Sequence, residues 1–192
     1  MQEAFISKRN KVQRVGSVVE KTHQSALGAQ FEADKLNKLY AQKINVPKLI
    51  LHEENVLKME YIEAPTIADL IDEWEKQPNP PVQDAAMEGL VKWLDGYCKA
   101  SAGRGRGDIN CRNFLFDGKN VWGVDFEDED EGSFAENIGQ LCAFILTYDP
   151  AHTPLKNELV SIIIKHSGLE PAQVDREKTK ALELLSQRRR RK

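Results

Sequence analysis

Two short apolar runs lie close together in the stretch GRGRGDINCRNFLFDGKNVWGVDFEDEDE, Gly103 to Glu131. The first is Phe114-Leu115-Phe116 and the second Val121-Trp122-Gly123-Val124, with Asp117-Gly118 between them. Two such runs about a turn signal read as a hairpin. A hairpin brings the polar loop before its first strand and the loop after its second to the same end. Asp108, Asn113 and Asp125 are thereby expected to converge in one small volume. Two carboxylates and an amide oxygen are hard ligands that suit Mg²⁺, with phosphate oxygens completing its shell. A carboxylate that is not tied to metal can instead take a proton from a hydroxyl.

The rest of the chain must support that hairpin with 192 residues, 41% hydrophobic and 30% charged, as in a globular protein. No apolar run approaches the ~20 residues of a membrane span. The opening MQEAFISKRNKVQRV lacks the apolar centre of a secretory signal, so a cytoplasmic location is expected. Cys98, Cys111 and Cys142 form no C-x-x-C pair, which argues against a disulfide framework or a structural zinc site. Cys111 reads as a small filler or a reactive thiol. His23, His52, His152 and His166 do not cluster in sequence, and none reads as a ligand. The net charge of −3 is unevenly spread. Arg188 to Lys192 are all basic, and without them 22 basic residues face 30 acidic ones.

Read in order, Phe5 to Thr22 gives a small β unit with a polar tip, Ser7 to Asn10. Ala26 to Lys43 carries helical spacing, with Leu27, Phe31, Leu36, Leu39 and Tyr40 as its apolar stripe. Lys48–Leu51 and Val56–Ile62 form a second hairpin about Glu53-Glu54-Asn55. Thr66 reads as the N-cap of a helix from Ile67 to Lys76, with Asp69 in its first turn. Gln77 to Pro81 is a breaker. A long helix from Val82 to Ser101 buries Ala86, Leu90, Trp93, Leu94 and Tyr97. Further helices are expected over Phe134–Tyr148, Leu155–His166 and Pro171–Gln187. The last is poor in large apolar residues and is expected to dock loosely. The basic end after it reads as disordered. Arg104 and Arg106 read equally as anion contacts or as exposed loop residues. The run Glu127 to Glu131 reads as a solvated loop, as a reader of a cationic substrate, or as an extra metal contact through Glu127 or Asp128.

At the hairpin the sequence resembles a known superfamily. Asp108 and Asn113 fit the kinase pattern H-R-D-x-x-x-x-N, with Arg106-Gly107 in place of His-Arg, and Asp125-Phe126-Glu127 stands where kinases carry D-F-G. Gly107 before the Asp, and Glu127 after Asp-Phe, are more similar to the aminoglycoside and choline phosphotransferases than to eukaryotic protein kinases. The chain is compact like the small atypical kinases. The resemblance spans Lys8 to about Pro150 and implies an α+β, two-lobed protein-kinase-like fold. It would have a small antiparallel N-lobe (1–62), a short helical C-lobe (63–187) and a basic tail (188–192).

The resemblance also implies roles. Lys21 would hold the nucleotide phosphates, steadied by Glu32, with Glu20 and Asp34 as weaker alternatives. Met59 to Glu63 resembles the hinge, with backbone near Glu60 and Ile62 holding the adenine edge. Asp108 would be the catalytic base, and Asn113 and Asp125 would hold Mg²⁺. Glu136-Asn137 occupy the place where kinases carry an anchoring Asp, a departure that leaves the anchor open, with Asn137 still able to accept a hydrogen bond. No G-x-G-x-x-G precedes Lys21, so Ser7 to Asn10 would have to cover the phosphates. The expected reaction is ATP- and Mg²⁺-dependent transfer of the γ-phosphoryl group to a hydroxyl of a small molecule. The alternatives are a compact atypical Ser/Thr protein kinase working with a partner and a nucleotide-binding pseudokinase. The basic tail offers a contact for RNA, an acidic protein or an anionic membrane surface.

Overall fold

The computed structural model describes residues 2–5 and 10–190. Ser7, Lys8 and Arg9 of the expected phosphate cover, and Arg191 and Lys192 of the tail, lie outside the described residues. The chain divides into two compact units, one of 1–64 with 122–127 and one of 65–121 with 128–192.

The first unit is built on a five-stranded antiparallel sheet in the order β1-β2-β3-β5-β4. Its strands are β1 (Gln2–Phe5), β2 (Lys11–Val15), β3 (Val18–Thr22), β4 (Leu49–Glu53) and β5 (Val56–Glu60). In the central pairing Lys21 lies opposite Leu57, and across β2 it lies opposite Val12. One helix, α1 (Ala26–Ala41), completes the unit, and the Ser25 hydroxyl caps it by accepting from the Gly28 N–H.

The expected stripe on α1 needs correcting. Leu36 and Leu39 are buried, but Leu27, Phe31 and Tyr40 are 83%, 37% and 50% exposed. The buried face is Ala29, Glu32, Ala33, Leu36 and Leu39, which recurs at the 3.6-residue helical period. Leu27 and Phe31 fall on the opposite side of the helix from that face, whereas Tyr40 shares the face one turn after Leu36 but lies half exposed in the last turn. Small Ala29 and Ala33 share the buried face with Glu32, an acid placed there because Lys21 is its partner.

The second unit is mainly helical. The Thr66 hydroxyl accepts from the Asp69 N–H and the Asp69 carboxylate returns the bond, a capping box that starts α2 (Ile67–Trp74). The helix α3 (Pro80–Ala100) begins two residues before the expected start. Pro80 and Pro81 form its first turn, where no intrahelical N–H is required. Then come a 3₁₀ turn (Cys111–Asn113), β6 (Phe114–Phe116), β7 (Val121–Gly123), α4 (Phe134–Thr147), α5 (Pro154–Ser167) and α6 (Pro171–Arg190). β6 and β7 pair as a two-stranded sheet about a turn closed by the Asp117 N–H on the Asn120 carbonyl. β7 carries the chain from the second unit back into the first.

Two expectations for the C-terminal region are overturned. α6 docks tightly rather than loosely: a Cβ on Gly139 of α4 would lie 2.5 Å from the Glu177 Cβ and 2.6 Å from its carbonyl carbon. The close approach compensates for a shortage of large apolar side chains, and Val174 and Ala181 are buried. The helix also runs on through Arg188 to Arg190 instead of ending in disorder at Gln187. Arginine is a good helix former, and positive charge at a helix C-terminus complements its dipole. Among the described residues no helix is long and apolar enough to cross a membrane.

Candidate active site

In the first unit the Lys21 ammonium is the centre of a buried charge cluster. β3 presents its side chain on the face covered by α1, leaving it 6% exposed. Glu32 Oε2 lies 2.8 Å from Lys21 Nζ, Asp125 Oδ1 2.7 Å and Glu127 Oε1 2.6 Å. Burial works to lower the lysine pKa, but the carboxylates outweigh it and hold the ammonium above the ordinary lysine range. Burial likewise works to raise Glu32. It is outweighed by His23, Lys21 and the Phe126 N–H, which together bring the carboxyl down to about 2. The Phe126 N–H donates to Glu32 Oε1 at 3.0 Å, which ties the Asp-Phe-Glu segment to α1.

His23 completes this cluster, with Nε2 3.0 Å from Glu32 Oε2. Its backbone is pinned to the β4–β5 turn: its N–H donates to the Asn55 carbonyl, and its carbonyl accepts from Asn55 Nδ2. His23, Glu32 and Glu127 offer potential ligand atoms within 4.8 Å of one another. Lys21 already bonds both carboxylates, so the trio is the setting of an ammonium and not a divalent-metal centre. Asn10, just before β2, donates its amide to Glu127 Oε1.

In the second unit the loop after α3 holds Asp108 and Asn113. Asp108 accepts from the Asn110 N–H at 3.0 Å and from Asn113 Nδ2 at 2.9 Å. The second bond fixes the Asn113 amide with its nitrogen toward Asp108 and leaves its oxygen to serve as a hard donor. The Tyr148 hydroxyl accepts from the Cys111 N–H and donates to Asn110 Oδ1, both at 3.0 Å. The departure at Glu136-Asn137 is resolved by Asn137. Its Oδ1 accepts from the Arg106 N–H at 2.7 Å, and its Nδ2 donates to the Arg106 carbonyl at 3.1 Å.

The acidic run is not a freely solvated loop. The Gly105 N–H donates to the Gly132 carbonyl and the Glu131 N–H to the Gly105 carbonyl, both at 3.0 Å. The Tyr97 hydroxyl bonds the Asp130 carboxylate. A Cβ on Gly107 would lie 2.2 Å from the Glu129 carbonyl oxygen, so glycine is required before Asp108. Arg104 is exposed, but Arg106 is buried with its guanidinium 5.0 Å from the Phe114 ring and 5.8 Å from that of Trp93. The exposed-loop reading therefore fails for Arg106, because two aromatic faces of the core receive it.

The structure thus brings Lys21, Glu32 and Asp125 together in one unit and Asp108 with Asn113 in the other. Glu20 and Asp34, the alternative partners, turn elsewhere: Glu20 to Gln13 and Lys58, Asp34 to Gln30. The Glu60 N–H is engaged by the Lys48 carbonyl, and the Ile62 carbonyl accepts from the Ala64 N–H. Sequence reasoning missed His23, Glu127 as a partner of Lys21, and the bond that Asn137 donates. His23 had a signal, since it follows Lys21 by two residues and shares its strand face. An amide oxygen, as on Asn113, and a carboxylate, as on Asp125, are hard oxygen donors of the kind Mg²⁺ takes.

Residues 3–129 match the family model of the RIO domain. No curated protein matches the chain. Its fold is similar to that of a choline/ethanolamine kinase family protein from Mesorhizobium loti, with 17% identity and a TM-score of 0.64 over 92% of this chain and 73% of that one. It is also similar to the ADP-bound aminoglycoside phosphotransferase APH(2'')-Ib, with 12% identity and a TM-score of 0.72 over 94% and 81% of the two chains. A gentamicin complex of APH(2'')-IIa gives 12% identity and a TM-score of 0.70 over 94% and 80%. A small antiparallel N-lobe, a helical C-lobe and a family match through the Asp-Phe-Glu segment agree: the chain belongs to the RIO domain family and has the protein-kinase-like fold.

Proposed function

We propose that this protein is an ATP- and Mg²⁺-dependent phosphotransferase that moves the γ-phosphoryl group to a hydroxyl of a small molecule. The observation that carries the reading is the buried Lys21–Glu32 pair with Asp125 on the same ammonium. A lysine held charged by a helix glutamate is the device kinases use to orient nucleotide phosphates. Lys21 would hold the phosphates, with Glu32 fixing its direction. Backbone near Glu60 and Ile62 would hold the adenine edge. Asn113 and Asp125 would hold Mg²⁺, which when bound neutralises charge between the β and γ phosphates. Asp108 would orient the acceptor hydroxyl and take its proton as the new oxygen–phosphorus bond forms and the bond to ADP breaks. Asn113 and Asn110 keep that carboxylate aimed. Most of the rate enhancement in such chemistry is positioning and electrostatics.

The test is thermal unfolding with and without ATP and Mg²⁺, on the natural chain and on Asp125→Asn. Ligand at ~100 times its dissociation constant adds about 2.7 kcal/mol to the folded state. A Mg²⁺-dependent rise in midpoint that the variant loses is the expected result. An acceptor screen by ADP release then follows, and binding without turnover on any acceptor would turn the reading to a pseudokinase.

The RIO domain match is compatible with a second reading, a compact Ser/Thr protein kinase working with a partner. The basic end of α6 would supply the contact with an acidic protein or RNA, and a cytoplasmic location fits both readings. Phosphate transfer to protein serine or threonine, with none to small alcohols, would decide for it.

A further inference from the structure

This inference rests on the nucleotide reading and concerns Glu127, the residue after Asp-Phe. Lys21 carries one positive charge and faces three carboxylates at 2.6 to 2.8 Å. Two of them have separate employment. Glu32 lies in the buried face of α1 and is held by His23 and the Phe126 N–H. Asp125 is 47% exposed and is the carboxylate assigned above to metal. Glu127 has neither role, yet it makes the shortest of the three contacts and is only 18% exposed.

Its second partner shows what it replaces. Glu127 Oε1 bonds both Lys21 Nζ and Asn10 Nδ2. Asn10 comes from the polar tip between β1 and β2, and Lys21 from β3. One carboxylate oxygen thus takes an ammonium and an amide N–H from two neighbouring segments of the sheet. A phosphate oxygen would take the same two donors. The three carboxylates also leave a surplus of two negative charges around Lys21, a field that opposes a polyphosphate unless a divalent cation accompanies it.

We infer that Glu127 sits in the phosphate seat on Lys21 and Asn10, and that nucleotide must displace it to bind. Glu127 therefore sets nucleotide affinity and heightens its dependence on a divalent cation. It acts before chemistry, by competing with phosphate for the Lys21 ammonium and the Asn10 amide.

The experiment is calorimetric titration of ADP into the full chain, in EDTA and in Mg²⁺, for the natural sequence, Glu127→Gln and Glu127→Ala. Ligand-free melting of each protein confirms that it is folded, and either variant alone suffices. The expected result is roughly tenfold or greater tightening of Mg²⁺-free ADP binding in the variants, with a smaller ratio between the two conditions. Affinities unchanged in both conditions would overturn the inference while leaving the nucleotide reading intact. Weaker binding in the variants would also overturn it, since Glu127 would then assist the ligand. Absence of ADP binding by all three proteins in both conditions would overturn the inference together with the nucleotide reading.

Discussion

Asn137 grips Arg106 with both ends of its amide, accepting from its N–H at 2.7 Å and donating to its carbonyl at 3.1 Å. Asn137 is fully buried and lies in the first turn of α4, so its side chain fastens the start of the loop carrying Asp108 to the helical core. A carboxylate there could satisfy the N–H but not the carbonyl. The amide satisfies both.

Asn137→Leu is expected to remove both of these bonds to the Arg106 backbone and to cost about 1–3 kcal/mol for each buried group that loses its partner. Asn137→Asp keeps the acceptor and loses the donor, so its loss should be smaller. Urea unfolding of the two variants checks the order. Equal stability of all three proteins would show that the loop is held elsewhere.

Gly107→Ala should destabilise by about 1–3 kcal/mol, because its Cβ meets the Glu129 carbonyl oxygen at 2.2 Å and the acidic segment must move. Protection of the Gly105 and Glu131 amides in hydrogen exchange should fall with it, since those amides bond the two segments.

The Lys21–Glu32 pair makes an acid-limb prediction. Glu32 titrates near 2 in the folded chain against an ordinary value of 4.5. A depressed carboxyl contributes stability above its unfolded value and loses it as pH falls through the window from about 4.5 to about 2. Lys21, raised above its ordinary 10.5, contributes stability that is lost only at pH beyond the usual lysine range. Lys21→Met leaves Glu32 buried without its cation, and breaking such a pair costs about 3–5 kcal/mol. Denaturant unfolding between pH 2 and 7 should show the natural chain losing stability through the acid window. In the variant the carboxyl titrates higher, so the acid window narrows and less stability is lost across it.

Asp108→Ala is expected to cut phosphoryl transfer about 10²–10⁴-fold, the usual contribution of a positioned general base, with nucleotide binding retained. Asp125→Asn should instead lose Mg²⁺-dependent binding. Initial rates of ADP release and titration of each variant with ATP separate the two effects.

The three thiols should be inert in the folded chain. Cys98, Cys111 and Cys142 are buried, and burial pushes their pKa values up to about 11, 12 and 12. Thiolate is the reactive form. Alkylation at pH 8 should proceed only after denaturant is added. Rapid labelling of Cys111 in the native chain would reverse its assignment as filler.

By itself the sequence determined what local chemistry can write. Thr66 and Asp69 announce a capping box, Asp117-Gly118 a hairpin turn, and Asp108 to Asp125 a motif with its own spacing, because each is a relation between near neighbours. The protein-kinase-like superfamily and its fold were legible from that motif, while the RIO domain family within it was not. Tertiary structure alone decided how the charges are shared. Glu127 is 106 residues from Lys21 in the chain and Asn137 is 31 from Arg106, and no sequence period links such pairs. The buried face of α1 depended on how closely Ala29 and Ala33 let the helix approach its sheet, so its large apolar residues misled and its one buried acid mattered more. The tight docking of α6 turned on the missing side chain of Gly139. Close approach between distant segments is a property of packing, and hydrophobic periodicity does not record it.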